Sequence, residues 1–296
     1  MSVTTSLEPG SLSRDSGTGL DRDVPMTVIQ PSGRWPRLDL RELWAYRGLF
    51  FFLVWRDIKV RYAQTILGAG WAIIQPVLTM VVFTVIFGNF AGIPSDGVPY
   101  PVFSLTALVP WTYFSTALAT SSGSLVSNKG LLTKVYFPRL VIPLAPVLAA
   151  LVDMAIAMVI LFLTMAAFGI WPSWHAIFLL PLLVVCMMMT ATGVGTWLTG
   201  LDIQYRDVKH IIPFLVNVWM YASPIVYPMS MIPERYRLLY ALNPMAGVIE
   251  GFRAVLLGTQ EVDWGLIGFS LGVGFVIFIS GIYFFRNLER RFADVA

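Results

Sequence analysis

Charge is scarce in this sequence. Of its 296 residues only 12% are Asp, Glu, Lys or Arg, against roughly 25% in a soluble domain. The few charges sit in short blocks between long apolar runs, which excludes a soluble enzyme or a disordered chain. One cysteine, Cys186, excludes an internal disulfide. The two histidines, His175 and His210, have no cysteine or carboxylate cluster at ligand spacing, so no metal site is expected. No Gly-x-x-x-x-Gly-Lys-Ser/Thr loop occurs, nor any Gly-Lys dipeptide, so this polypeptide is not expected to bind ATP by that route. The first residues lack a basic stretch followed by an apolar one, and no signal peptide is expected.

Apolar residues make up 57% of the chain, and its mean hydropathy is +0.73. That composition predicts an all-α integral membrane protein. The net charge of +3 does not point to nucleic acid, because the basic residues are distributed as membrane topology distributes them. Residues 1–36, rich in Ser, Thr, Gly and Pro, are expected to be a disordered cytoplasmic tail. A transmembrane domain fills 37–296. Over 38–67, aromatic residues alternate with Arg41, Arg47, Arg56, Lys59 and Arg61, the composition of an amphipathic helix lying in the membrane interface. Six spans follow, at about 70–90, 101–122, 141–168, 176–199, 211–229 and 266–285, each near the ~20 residues a bilayer requires.

Lysine and arginine decide the orientation. Seventeen of the twenty fall on one side if the chain crosses six times, which places both termini in the cytoplasm. The connection between the last two spans is too apolar for a solvated loop and too interrupted for a span. Pro233, Pro244, Gly247, Gly251 and Gly258 divide it, and a re-entrant helical hairpin over 232–262 is expected on the outer side. Within it, Glu250 and Arg253 stand three residues apart and would pair on one helix face.

Chemistry-bearing residues are few. Asp153 lies inside the third span, where a carboxylate costs roughly 2.5–3.5 kcal/mol and needs a partner or a proton. Two readings stay open: a hydrogen bond to a polar side chain on a neighbouring helix, or a proton carrier. No set of nucleophile, acid and base is found in the apolar segments, so no catalytic residue is assigned. Gln75, Thr79, Phe83 and Phe87 follow i, i+4 spacing on the first span, and Phe214, Asn217, Tyr221 and Pro224 make a comparable stripe on the fifth. Lipid gives Gln and Asn no partners, so these faces are expected to point inward. With Trp111 and Phe114 of the second span, they offer aromatic planes and amides to the C–H faces and hydroxyl rims of sugars. Helix packing alone would also use such residues. The candidate substrate conduit is therefore Gln75, Thr79, Phe83, Phe87, Trp111, Phe114, Asn217 and Tyr221.

Three stretches together carry a family likeness: Arg56-Asp57-Ile58-Lys59-Val60-Arg61-Tyr62 running into Trp71-Ala72-Ile73-Ile74-Gln75-Pro76; Leu201-Asp202-Ile203-Gln204-Tyr205-Arg206-Asp207-Val208 leading into Ser223-Pro224; and Leu242-Asn243-Pro244-Met245 with Phe252-Arg253 downstream. In these the chain resembles, from about Leu38 onward, the membrane subunit of bacterial ABC exporters for polysaccharides such as O-antigen, capsule and teichoic acid. It departs at Ala63, where the family commonly has a basic residue.

The resemblance implies a homodimer in the bacterial inner membrane, joined to two copies of a separate ATPase that binds ATP and magnesium; this chain binds no cofactor and is no enzyme by itself. It implies a lipid-linked polysaccharide as substrate. It also implies that the interfacial helix and the turn 128–134 transmit ATPase closure, with Arg56, Lys59, Arg61, Lys129 and Lys134 as candidate coupling residues. The alternatives are an exporter subunit for a drug or small lipid, a proton-coupled flippase using Asp153, and a membrane-embedded glycosyl- or acyltransferase.

Overall fold

The computed structural model describes residues 40–63, 70–132, 134, 137–205, 207–258 and 261–293, all within one unit spanning 36–296. The tail expected over 1–36 and parts of the expected interfacial helix, 38–39 and 64–67, lie outside these residues. Every extended element among them is helical, and none is a strand. Helix α1 (Leu40–Ala45) stops at Tyr46, and α2 (Arg47–Tyr62) follows. Helix α3 (Gly70–Phe83) continues as a π-helical stretch, Thr84–Phe90. Then come α4 (Tyr100–Ser122), the short α5 (Ser124–Ser127) and α6 (Lys129–Leu132), α7 (Val141–Ala167), α8 (Ala176–Gln204) and α9 (Val208–Tyr221). A 3-10 turn at Met229–Met231 leads to α10 (Glu234–Ala241), α11 (Pro244–Leu257) and α12 (Trp264–Ala293).

Among the described residues five segments are long and apolar enough to cross a membrane: Gly70–Phe90, Tyr100–Ser122, Val141–Ala167, Ala176–Gln204 and Trp264–Glu289. The fifth expected span, 211–229, is helical only as α9. Its 14 residues reach about 21 Å, less than the roughly 30 Å of a hydrocarbon core. Pro224 and Pro228 explain the early stop, since each turns the preceding residue away from helical geometry.

Helix α4 is the centre of the molecule, with 78% of its apolar window buried. It runs antiparallel to α7, because the Tyr113 hydroxyl donates to the Val147 carbonyl at 3.2 Å and Ser121 Oγ to the Pro143 carbonyl at 2.8 Å. Helices α8 and α12 run parallel and touch backbone to backbone. A Cβ on Gly193 would stand 2.5 Å from the Ile277 carbonyl oxygen, one on Gly274 2.9 Å from Thr190 Oγ1, and one on Gly200 2.9 Å from Leu288. Gly281 lies equally close against Gly193. Small residues give this closeness, which compensates for the absence of a hydrophobic driving force between helices in lipid. Because α8 and α12 point the same way, the connection 205–263 returns along the whole length of the pair.

Helix α11 does the opposite. Gly247 faces Ser270, Gly251 faces Ile267 and Leu183, and Val255 accepts from the Ser173 backbone N–H at 2.9 Å. It is therefore antiparallel to both α8 and α12. Its start carries a cap, Asn243 Oδ1 accepting from Met245 N at 3.0 Å, with Pro244 in the first turn, and its end is Gly258 at φ 64°. The expectation that Gly247 and Gly251 interrupt this segment is corrected: α11 passes straight through both. They let α11 approach Ser270 and Leu183 where a side chain would collide.

Candidate conduit and coupling site

The conduit residues inferred from sequence fall into two groups. Phe83, Trp111 and Phe114 are buried, and Phe87 packs against the same core. Their rings touch in sequence: Phe83 on Phe87 at 5.2 Å, Trp111 on Phe114 at 5.6 Å, and Phe114 edge-on to Trp219 at 4.9 Å. Gln75 is exposed, and half-buried Thr79 donates its hydroxyl to the Gln75 carbonyl at 2.8 Å. On α9, Phe214 and Tyr221 are 69% and 63% exposed and Asn217 is exposed beside them, whereas Pro224 is buried beyond the helix end. This stripe of α9 faces away from the subunit's own core. The eight residues do not converge on one cavity within a single chain; they divide between an aromatic interior and an outward polar and aromatic face.

Trp219 and Asn243 tie that face to the start of α11. Trp219 Nε1 donates to Asn243 Oδ1 at 2.8 Å, and Asn243 Nδ2 donates to the Ala222 carbonyl at 3.1 Å and to Ser223 Oγ at 2.9 Å. The side chain that caps α11 thus also holds the end of α9. Beyond it the chain over 223–228 leaves the helix, and Arg253 supplies donors. Its guanidinium donates to the Ile225 carbonyl at 2.9 Å and the Tyr227 carbonyl at 3.2 Å, and lies 3.8 Å from the Phe103 ring centre. The expected pairing with Glu250 is present at 3.8 Å. Burial raises the Glu250 carboxyl above its usual range, and Arg253 opposes that shift. Tyr100 donates to the Val226 carbonyl at 2.9 Å, and the Tyr227 and Tyr240 hydroxyls bond each other.

The coupling candidates also divide. Lys59, Lys129 and Lys134 are exposed, and Arg56 turns back to Asp57 at 2.8 Å. They belong to segments that one apolar cluster gathers at the end of the bundle where α4 finishes: Leu53 of α2, Leu125 of α5, Phe137, Leu140, Val141 and Ala145 around the start of α7, and Ile282 and Phe285 of α12. Arg61 is different. It forms an ion pair with Asp153 on α7, which also accepts from the Tyr62 hydroxyl. Burial lowers the Arg61 pKa from its ordinary value and raises that of Tyr62. Asp153 therefore has a cationic partner as well as a phenolic one. The sequence drew attention to all three residues without joining them, because 91 and 92 positions separate the partners. Among the described residues no group of three His, Cys, Asp or Glu could hold a metal ion.

Comparison with known proteins gives one family and a consistent set of relatives. Residues 48–257 match the family model described as ABC-2 type transporter. The O-antigen export system permease protein RfbA of Myxococcus xanthus is 30% identical over 258 residues, covering 86% of this chain and 98% of that protein. A protein of the same name from Klebsiella pneumoniae is 27% identical over 241 residues, covering 81% and 92%. The polysialic acid transport protein KpsM of Escherichia coli is 26% identical over 239 residues, covering 79% and 91%.

Proposed function

Since this chain belongs to the ABC-2 type transporter family, we propose that it is the transmembrane subunit of an ATP-driven exporter that moves a lipid-linked, O-antigen-like polysaccharide from the cytoplasm across the inner membrane. Similarity along nearly the whole chain to permeases of O-antigen export carries this reading. Two copies of the chain enclose the path, and two copies of a separate ABC ATPase, which bind ATP and magnesium, drive it. The exposed Phe214, Asn217 and Tyr221 of α9 support a face turned to the partner copy and the passing glycan, since lipid offers Asn217 no hydrogen bond.

The chain crosses six times. Helix α9 with the segment 222–228 makes the fifth crossing, a reading that the parallel course of α8 and α12 supports. Helices α10 and α11 then dip in from the outer side and return, with Asn243 at the inner turn. Helix α2 enters from the cytoplasmic interface and follows the first half of α7, from Val141 to Asp153, with its exposed Phe51, Phe52 and Trp55 towards lipid. Both termini are cytoplasmic.

The test is surface glycan per assembled complex in cells carrying the chain and its ATPase. Removing the chain should leave lipid-linked glycan on the cytoplasmic face, and Asn217→Lys should do the same with the complex intact. Unchanged surface glycan in cells without the chain would overturn the reading.

A further inference from the structure

Helix α2 is attached to the bundle at two places of different character. The first is apolar, around Leu53, where burial is favourable but non-directional. The second, eight residues or about 12 Å along the helix, is the polar contact of Arg61 and Tyr62 with Asp153. Both partners come from the last turn of α2, and at Ala63 the backbone is already extended. A cation in that turn is also favoured by the helix dipole. The Arg61 and Asp153 side chains are 25% and 27% exposed, so the pair is mostly shielded. A charge-assisted contact of this kind fixes position and direction, as an apolar one does not.

Asp153 stands 12 residues beyond Val141, about 18 Å up α7. Helix α7 meets α4 nearby through Tyr113 and Val147, and α4 carries Phe114, which touches Trp219 of α9. A contiguous set of contacts thus runs from the end of α2 to the exposed face of α9. We propose that Arg61, Tyr62 and Asp153 form a clamp that carries displacement of α2 into α7, so that the force of the ATPase reaches the spans through this contact. The clamp rests on the exporter reading above. Arg61, read from sequence as a residue facing the ATPase, is then a positioning residue that acts through Asp153.

The experiment uses the complete complex with its ATPase and reads ATP hydrolysis and glycan export separately. With Asp153→Asn, hydrolysis should stay within twofold of the unaltered complex while export falls at least fivefold. Tyr62→Phe, which removes one bond and no charge, should fall between. The exchange Arg61→Asp with Asp153→Arg should recover a large part of the export lost in Asp153→Asn. Export at the unaltered rate in Asp153→Asn and Tyr62→Phe would overturn the clamp. So would hydrolysis and export falling in equal proportion, because that reports assembly and not transmission. Should Asp153→Asn fail to assemble, Tyr62→Phe decides by the same criterion. An unaltered complex that hydrolyses ATP but moves no glycan would overturn the substrate and leave the clamp to be judged by another signal. That signal is the ATP-dependent mobility of a spin label at the exposed Val159 of α7, which the clamp requires and Asp153→Asn should abolish.

Discussion

Arg253 shows how much one side chain can hold. It is 4% exposed and serves two carbonyls of a segment that is not helical. Arg253→Met fills the volume but supplies no donor. Buried carbonyls without partners cost about 1–3 kcal/mol each, and losing one member of a buried ion pair costs about 3–5 kcal/mol in all. Arg253→Met should therefore lower thermal stability in detergent markedly and open residues 222–228 to protease. Glu250→Gln, which keeps the shape and removes only the partner charge at 3.8 Å, should lose less than Arg253→Met in the same assay, because Arg253 keeps its bonds to the Ile225 and Tyr227 carbonyls. The sequence disclosed the Glu250–Arg253 spacing, since both lie on one helix. It could not disclose the carbonyls of Ile225 and Tyr227 or the ring of Phe103, which only tertiary folding brings near. Asp153 was legible as an anomaly for the same reason that its partners were not: an isolated acid stands out in an apolar run, while its base belongs to another helix.

At the scale of elements, composition located the long helices well. Length and hydropathy are local properties, and four of the five membrane-crossing segments begin within one residue of expectation. The sequence overstates α9 because its apolar run continues past Pro224 although its helix does not. The glycines of α11 resemble breaks because a lone sequence does not tell a flexible position from a close contact. The seam between α8 and α12 makes that difference measurable. Gly193→Ala would place a methyl group 2.5 Å from the Ile277 carbonyl oxygen, and overpacking of this kind costs about 1–3 kcal/mol. A methyl group added at Gly272 on α12 would meet nothing within 4 Å, so Gly272→Ala should be neutral or gain up to about 1 kcal/mol in helix propensity. Thermal unfolding of the two purified variants should separate in that order.

For the whole molecule, the decisive question is where the chain stands after α9. In a Cys186→Ala background, Trp171→Cys and Glu234→Cys should react with an impermeant maleimide on intact cells. Ser127→Cys and Gln204→Cys should react only after permeabilisation. Glu234→Cys and Gln204→Cys reacting alike would mean that residues 205–233 do not cross. An expected orientation was legible because lysine and arginine are so unevenly placed, and the labelling tests it. The arrangement of the outward stripe was not, since a single chain's sequence does not say whether a polar face looks into its own subunit or towards another.

The parallel seam also sets a timetable for synthesis. Ile277 is made 84 residues after Gly193, which at roughly 5–20 residues per second is a delay of about 4–17 s. During that interval the narrow side of α8 has no neighbour to fill it. Its hydroxyls are nonetheless provided for: Thr190 donates to the Cys186 carbonyl at 2.9 Å and Thr196 to the Thr192 carbonyl at 2.8 Å, both within the helix. Helix α8 can therefore wait in lipid as a self-contained rod, and α12 arrives at a groove that needs only its shape.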